Sequence, residues 1–207
     1  NLTDAIHWRD LALRNCDRDD LERAIAIRDL ASTQGDGMVY YPELDDIAAS
    51  IDLPSMHYAA LKTAAAAEQA ERVLRQFIRS VPADFALELP TPYGTIAIYS
   101  AQSTRQAASE NPLRNELPSS LPGWFEYDAT NTLLIVDFGR HMIYQGTLGA
   151  TASLGNPISV VIDLAGDDYY GYNRNAYPPT TGVGLCGVGL VLDSQGNDHY
   201  NGSTYAQ

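Results

Sequence analysis

The sequence predicts an α+β protein whose helices and strands are segregated: a helical region over residues 1–82, then a repetitive β-domain over residues 83–207. Apolar residues recur at three- and four-residue spacing in the first region, and short β-rich segments broken by glycine and asparagine follow it. The second region also contains a recurring ten-residue phrase, whose copies lie 26 and 30 residues apart. A period of this length predicts a parallel β-solenoid, or β-helix.

Four helices are expected in the first region. Asp17 is placed to open the second helix, and a short third helix is expected over residues 42–51. Ser55 is expected to cap a long fourth helix that ends before Pro82. The run of four alanines at 64–67 favours this helix and permits close approach of a neighbouring element. Its buried stripe is expected to consist of Tyr58, Leu61, Ala65, Val73, Leu74, Phe77 and Ile78.

The recurring phrase defines three repeat units: IVDFGRHMIY at 135–144 (unit 1), VIDLAGDDYY at 161–170 (unit 2) and VLDSQGNDHY at 191–200 (unit 3). Each unit keeps an apolar run, a first Asp and a Tyr seven places after that Asp. Successive residues of a strand point to opposite faces, and in this run the residues that point to either face are apolar. We therefore expect one face to be covered inside the β-domain and the other by the N-terminal helices. Stacked units would place their tyrosines in a ladder, formed by Tyr144, Tyr170 and Tyr200.

Two questions about the repeat stay open at the level of sequence. An antiparallel hairpin meander can also repeat, although the period is too long for one hairpin arm and favours the parallel arrangement. Seven residues follow unit 3, and they contain no recognisable cap for an open end. We therefore expect the chain to be part of a longer protein, or its open end to bind further repeats of a longer chain or another subunit.

The turns GDDYYG at Gly166 and GNDHYNG at Gly196 carry a resemblance. They resemble the second half of the RTX, or haemolysin-type, calcium-binding nonapeptide. RTX arrays repeat every nine residues, whereas each turn here stands alone within a long period. The resemblance implies that Asp168 and Asp198 bind Ca²⁺ between neighbouring turns.

A hard cation needs several oxygen ligands, so the predicted metal site extends beyond those two acids. In unit 2 it comprises Asp163, Asp167 and Asp168, and in unit 3 it comprises Asp193, Asn197 and Asp198. The alternative for the same side chains is that they accept hydrogen bonds from the backbone of tight turns. Apart from Ca²⁺, the sequence predicts no cofactor.

The composition narrows the range of partners. A formal net charge of −13 disfavours nucleic acid, and no apolar run approaches the roughly 20 residues that span a bilayer. Tyrosines interleaved with Asn, Asp and Gly suit a protein or glycan ligand. These tyrosines are Tyr169, Tyr170, Tyr172, Tyr177, Tyr200 and Tyr205.

The sequence therefore predicts a non-catalytic structural or binding module of a larger, extracytoplasmic or secreted protein, stabilised by Ca²⁺. The alternative is a carbohydrate-active lyase or hydrolase on a β-helix, in which Asp163 and Asp193 would form a pair of acids at equivalent positions. A catalytic pair is usually unique, whereas an Asp in every unit favours a structural role. No residue is assigned a catalytic role.

Overall fold

The computed structural model of the protein describes residues 2–33, 42–100, 124–129, 131–146, 148–170 and 181–200. These residues form four helices: α1 (Leu2–Ala12), α2 (Arg18–Thr33), α3 (Pro42–Ser50) and α4 (Leu53–Phe77). They also form nine strands: β1 (Ala86–Thr91), β2 (Gly94–Tyr99), β3 (Trp124–Ala129), β4 (Thr132–Asp137), β5 (His141–Gly146), β6 (Ile158–Asp163), β7 (Tyr169–Tyr170), β8 (Val188–Asp193) and β9 (His199–Tyr200).

The strands form two sheets. The larger has the order β1-β2-β4-β6-β8, in which only β1 and β2 are antiparallel. The smaller has the order β3-β5-β7-β9, and all of its pairs are parallel. Each repeat unit supplies strands to both sheets, because its apolar run lies in the larger sheet and its tyrosine in the smaller one.

The predicted fold class, a segregated α+β protein with a β-solenoid, is wrong. The described residues form an α/β arrangement of four helices, a mixed five-stranded sheet and a small parallel sheet. The repeat predicts only how its own units pair, and it does so correctly: Asp137 pairs with Asp163, and Asp163 with Asp193, in parallel strands. This pairing excludes the hairpin meander for the three units. The antiparallel β1–β2 pair and the helical layer on the sheet lie outside the repeat, so its spacing could not predict them.

Helices α1 and α4 pack against each other and against the larger sheet. Ala5 of α1 and Ala59 of α4 are fully buried in one cluster with Ile158 and Ile162 of β6. Burying an isoleucine of this kind contributes about 1.5–3 kcal/mol. The opposite face of β6 contributes Val161 to a second cluster, between the two sheets. Both faces of β6 are therefore covered, as the doubly apolar strand pattern predicted.

Helix α4 differs from its prediction at its start and on its buried face. It begins at Leu53, because Asp52 accepts hydrogen bonds from the Ser55 amide at 3.3 Å and the Ser55 hydroxyl at 2.9 Å. The buried side chains lie four residues apart and are small, namely Ser55, Ala59, Thr63 and Ala67. The larger side chains expected there are 36% or more exposed at Tyr58, Leu61, Val73, Phe77 and Ile78. A row of small residues permits close approach of the neighbouring elements. Of the predicted stripe, Leu74 is partly buried and packs against the same core.

The short helices match their predictions more closely. Asp17 caps α2 by accepting hydrogen bonds from the amides of Asp19 and Asp20 at 2.8 and 3.2 Å. Helix α3 ends at Ser50, one residue before its predicted end. Among the residues that the structure describes, no helix has both the length and the apolar character of a bilayer span.

Candidate functional site

A ladder of tyrosine rings lies between the two sheets. The ring of Tyr170 is stacked on that of Tyr144, with a centroid distance of 4.8 Å and an interplanar angle of 15°. The ring of Tyr200 is stacked on the other side of Tyr170, also at 4.8 Å and with an angle of 5°. The predicted tyrosine ladder is confirmed, and it follows from the parallel register of β5, β7 and β9.

Aspartates at the ends of β4, β6 and β8 face the same interior. Asp163 is fully buried, and its Oδ2 accepts hydrogen bonds from the hydroxyls of Tyr144 at 2.7 Å and Tyr170 at 3.0 Å. The hydroxyl of Tyr200 donates in the same way to Asp193. We call this set the Asp–Tyr column, and it consists of Asp137, Asp163, Asp193, Tyr144, Tyr170 and Tyr200.

Burial makes the carboxyl groups of this region harder to ionise. It raises the pKa of Asp163, and the negative charge of Asp193 adds to this effect, while hydrogen bonds from two tyrosines oppose it. Burial, followed by the charge of Asp163, likewise raises the pKa values of Asp137 and Asp168. Oδ2 of Asp137 and Oδ2 of Asp168 are buried without a hydrogen-bond partner among the described residues. This setting favours the protonated carboxyl. At Asp137, two backbone hydrogen bonds and the positive charge of Arg140 oppose the rise in pKa without cancelling it.

The turn acids join one repeat unit to the next through backbone hydrogen bonds. Oδ1 of Asp168 accepts a hydrogen bond from the Met142 amide at 2.6 Å, and Oδ1 of Asp198 accepts one from the Asp168 amide at 2.9 Å. On the surface, Oδ1 of Asp167 accepts a hydrogen bond from the Asn197 amide at 3.0 Å. Asp167 and Asp198 thus accept hydrogen bonds from the backbone of a neighbouring turn, whereas Asp168 accepts one from strand β5.

Glycines are required where the backbones of neighbouring turns approach each other. A Cβ added to Gly166 would lie 2.1 Å from the carbonyl oxygen of Arg140, and one added to Gly196 would lie 1.7 Å from the carbonyl oxygen of Gly166. Gly166 also has a φ of +148°, which side chains rarely permit. The glycines of units 2 and 3 thus set how closely each of these units stacks on the unit before it.

The six predicted metal ligands occupy three different places. Asp163 and Asp193 belong to the Asp–Tyr column, whereas Asp168 and Asp198 lie at the turns that join the units. Asp167 and Asn197 are exposed. Within the described ranges, no three His, Cys, Asp or Glu side chains are grouped so that they could hold a metal ion. Calcium binding stays a prediction, and it would require these side chains to rearrange.

Arg9 and Asn156 are among the buried polar residues that sequence reasoning missed. Arg9 of α1 is 7% exposed and donates hydrogen bonds to the carbonyl oxygens of Cys186 at 2.7 Å and Leu154 at 3.0 Å. Asn156 lies within hydrogen-bond distance of three backbone carbonyl oxygens, at 3.0 to 3.1 Å. A single Arg in a helix and a single Asn in a loop have no repeat or spacing that distinguishes them. Asp137, by contrast, is distinguished by the repeat, since it aligns with Asp163.

Unit 3 differs from units 1 and 2 in its exposure. Tyr200 is 59% exposed, whereas Tyr144 and Tyr170 are each 1% exposed. All six residues of β6 are buried, but β8 is mostly half-buried. We call the side of β8 and β9 that faces away from unit 2 the unit 3 edge.

Of the other tyrosines expected on a ligand surface, Tyr169 stacks on the ring of His199 at 4.5 Å, and Tyr172, Tyr177 and Tyr205 lie outside the described residues.

Comparison with known proteins places this chain in no family. No protein-family model, no curated protein and no solved structure matches it. The resemblance to RTX turns and the extracytoplasmic location therefore stay predictions.

Proposed function

We propose that this chain is a non-catalytic structural or binding module. The observation that carries the proposal is the position of Asp163, which is fully buried and accepts two hydrogen bonds through a single oxygen. The same kind of bond joins Tyr200 to Asp193, so the acids of successive units serve one repeated structural purpose. Hydrogen bonds from Tyr144 and Tyr170 to the buried Asp163, and from Tyr200 to the half-buried Asp193, join the two sheets.

The alternative, a carbohydrate-active enzyme, would use these acids differently. A lyase or hydrolase needs its acid and base within hydrogen-bond distance of a bound sugar. A polysaccharide in solvent cannot reach Asp163, which lies between the sheets. Asp193 is less buried, but its carboxylate already accepts the hydrogen bond from Tyr200. Neither acid is arranged for a substrate.

An activity screen with two variants tests the proposal. The purified chain and its Asp163→Asn and Asp193→Asn variants are incubated with a panel of neutral and acidic polysaccharides. New reducing ends report hydrolysis, and absorbance of unsaturated products reports lyase activity. We expect no product from any of the three proteins. The proposal is wrong if the unmodified chain releases product and Asp163→Asn abolishes the release while its melting curve stays that of a folded protein.

A further inference from the structure

We propose that the unit 3 edge binds an extended polypeptide segment carrying the same pattern as the repeat units: an apolar strand, an Asp, then Gly-x-Asp-x-Tyr. This inference rests on the proposed binding function and names its partner by chemistry. The unit 3 edge presents again the kinds of groups through which unit 2 contacts unit 3.

Strand β8 has hydrogen-bonding groups on its outer side. The amides of Val188 and Ser194 donate at 3.0 Å to the carbonyls of Pro157 and Asp163, on the side of β6. Because successive residues of a strand point their backbone groups in opposite directions, the groups of Gly189, Val191 and Asp193 point away from β6. No strand among the described residues pairs with that side of β8. Such an edge is a template for one more strand.

The exposed ring of Tyr200 adds an aromatic contact to this template. One face of the ring is covered by Tyr170, yet the residue remains 59% exposed. Within the chain, stacking a further tyrosine reduces the exposure of the covered ring to 1% at Tyr170. A partner tyrosine in the equivalent position would stack on Tyr200 at about the same spacing, and such aromatic pairs add stabilisation beyond burial.

The turn of unit 3 defines what else the partner needs. Asp198 of unit 3 accepts a hydrogen bond from the Asp168 amide of unit 2, so the partner requires an acid that accepts one from the Asp198 amide. Gly196 would collide with the carbonyl of Gly166 if it had a Cβ, at 1.7 Å. The partner therefore requires glycine at the corresponding position, where it faces the carbonyl of Gly196. This glycine is the sharpest specificity determinant of the surface.

A second folded molecule of this chain does not supply such a segment. In each unit, the side that would lie on β8 is already paired within the chain: β4 lies on β2, β6 on β4 and β8 on β6. A repeat strand held in this way cannot also pair in parallel with β8 of another molecule. The partner is therefore a separate extended segment.

Peptide binding to the whole chain tests this inference. The probe is a fluorescently labelled peptide with the sequence of residues 158–170, ISVVIDLAGDDYY. Its matched control differs only by Gly166→Ala within the peptide. We expect saturable binding of the probe by fluorescence anisotropy and at least tenfold weaker binding of the control. We also expect Tyr200→Ala in the protein to weaken probe binding, and amide NMR shifts on binding to map to residues 188–200.

Three outcomes overturn the inference. The first is the absence of probe binding to the folded chain, and the second is equal binding of the probe and its alanine control. The third is a concentration-dependent dimer in sedimentation that Tyr200→Ala abolishes, since this assigns the edge to a second molecule of the chain. Failure of the proposed function is distinguished from all three, because it appears as Asp163-dependent release of sugar products.

Discussion

The hydroxyl of Tyr170 donates a hydrogen bond of 3.0 Å to Oδ2 of Asp163, seven residues earlier in the same unit. Tyr200 and Asp193 are joined in the same way across seven residues. The Asp ends a strand of the larger sheet and the Tyr lies in the smaller sheet, so the hydrogen bond spans the interior between them. This contact explains the Asp-to-Tyr spacing in units 2 and 3, whereas in unit 1 the Tyr144 hydroxyl donates to Asp163 of the next unit.

Replacing Asp163 with alanine should destabilise the protein by about 2–4 kcal/mol, because the buried hydroxyls of Tyr144 and Tyr170 lose their acceptor. Urea unfolding followed by circular dichroism measures the change. Asp193→Ala is the matched control, since its tyrosine is 59% exposed and water can replace the lost acceptor. We expect it to cost less than about 1 kcal/mol. Equal losses of unfolding free energy in the two variants would show that burial of the Asp163 hydrogen bonds does not increase their contribution to stability.

Stability should fall as the pH rises from 5 to 9. Burial raises the pKa of Asp163 to about 7, that of Asp137 to about 8 and that of Asp168 to about 9, from an ordinary value of 3.8. Between these limits the folded state binds more protons than the unfolded state. The associated stability is therefore fully present below pH 4 and is lost as the pH rises through the folded-state values.

Melting temperatures measured across this range test the pH dependence. Asp163→Asn removes one titrating group without adding charge, so we expect a shallower decline than in the unmodified chain. Glu43→Gln, on an exposed position of α3, is the control and should leave the slope unchanged. A melting temperature that rises steadily between pH 5 and pH 9 contradicts the assignment of protonated carboxyls to the interior.

Gly166→Ala should cost more than about 3 kcal/mol or prevent folding, because its Cβ would lie 2.1 Å from the carbonyl oxygen of Arg140 in a backbone conformation with φ of +148°. Gly155→Ala provides the control. The nearest atom to its Cβ would be the Ser153 hydroxyl oxygen at 3.9 Å, so we expect a change within about 0.5 kcal/mol. Thermal unfolding measures the stability of both variants. A small loss of stability in Gly166→Ala would mean that the units can move apart without loss of the fold.

Calcium should leave the melting temperature unchanged. Asp168 and Asp198 already accept backbone hydrogen bonds through Oδ1, and the six predicted ligands are divided among three places. A specific site at a hundredfold excess of ligand over Kd would instead add about 2.7 kcal/mol. Calorimetry in chelator, in millimolar Ca²⁺ and in millimolar Mg²⁺ separates these results. A rise that is specific to Ca²⁺ and lost in Asp168→Ala with Asp198→Ala would establish the calcium site predicted from the sequence.

The sequence predicted contacts between repeat units well, because equivalent residues of parallel strands lie beside one another. Asp163 was placed next to Asp193, and Tyr144, Tyr170 and Tyr200 were placed in a ladder, from spacing alone. The roles of these side chains were harder to predict. Carboxylates next to glycine fit a cation site as well as a turn, and only the positions of the backbone amides distinguish the two.

The layer structure could not be predicted in the same way. Helix α4 buries Ala59, Thr63 and Ala67, while most of the large apolar residues predicted to be buried are exposed, so the hydrophobicity pattern misplaced most of the buried face. The antiparallel pairing of β1 with β2 depends on residues outside the repeat. Arg9 reaches the carbonyls of Leu154 and Cys186, which are distant in sequence, and no local pattern reports such a contact.

The division of each repeat unit between two sheets has a consequence for how the sequence can vary. Insertions between units are tolerated, as the unequal intervals of 26 and 30 residues show, because the extra residues fall after one tyrosine and before the next strand. A one-residue insertion between Asp163 and Tyr170 would move the hydroxyl away from its acceptor and the ring out of its stack. Duplication or deletion of a whole unit, by contrast, lengthens or shortens both sheets together and preserves the junctions between the remaining units.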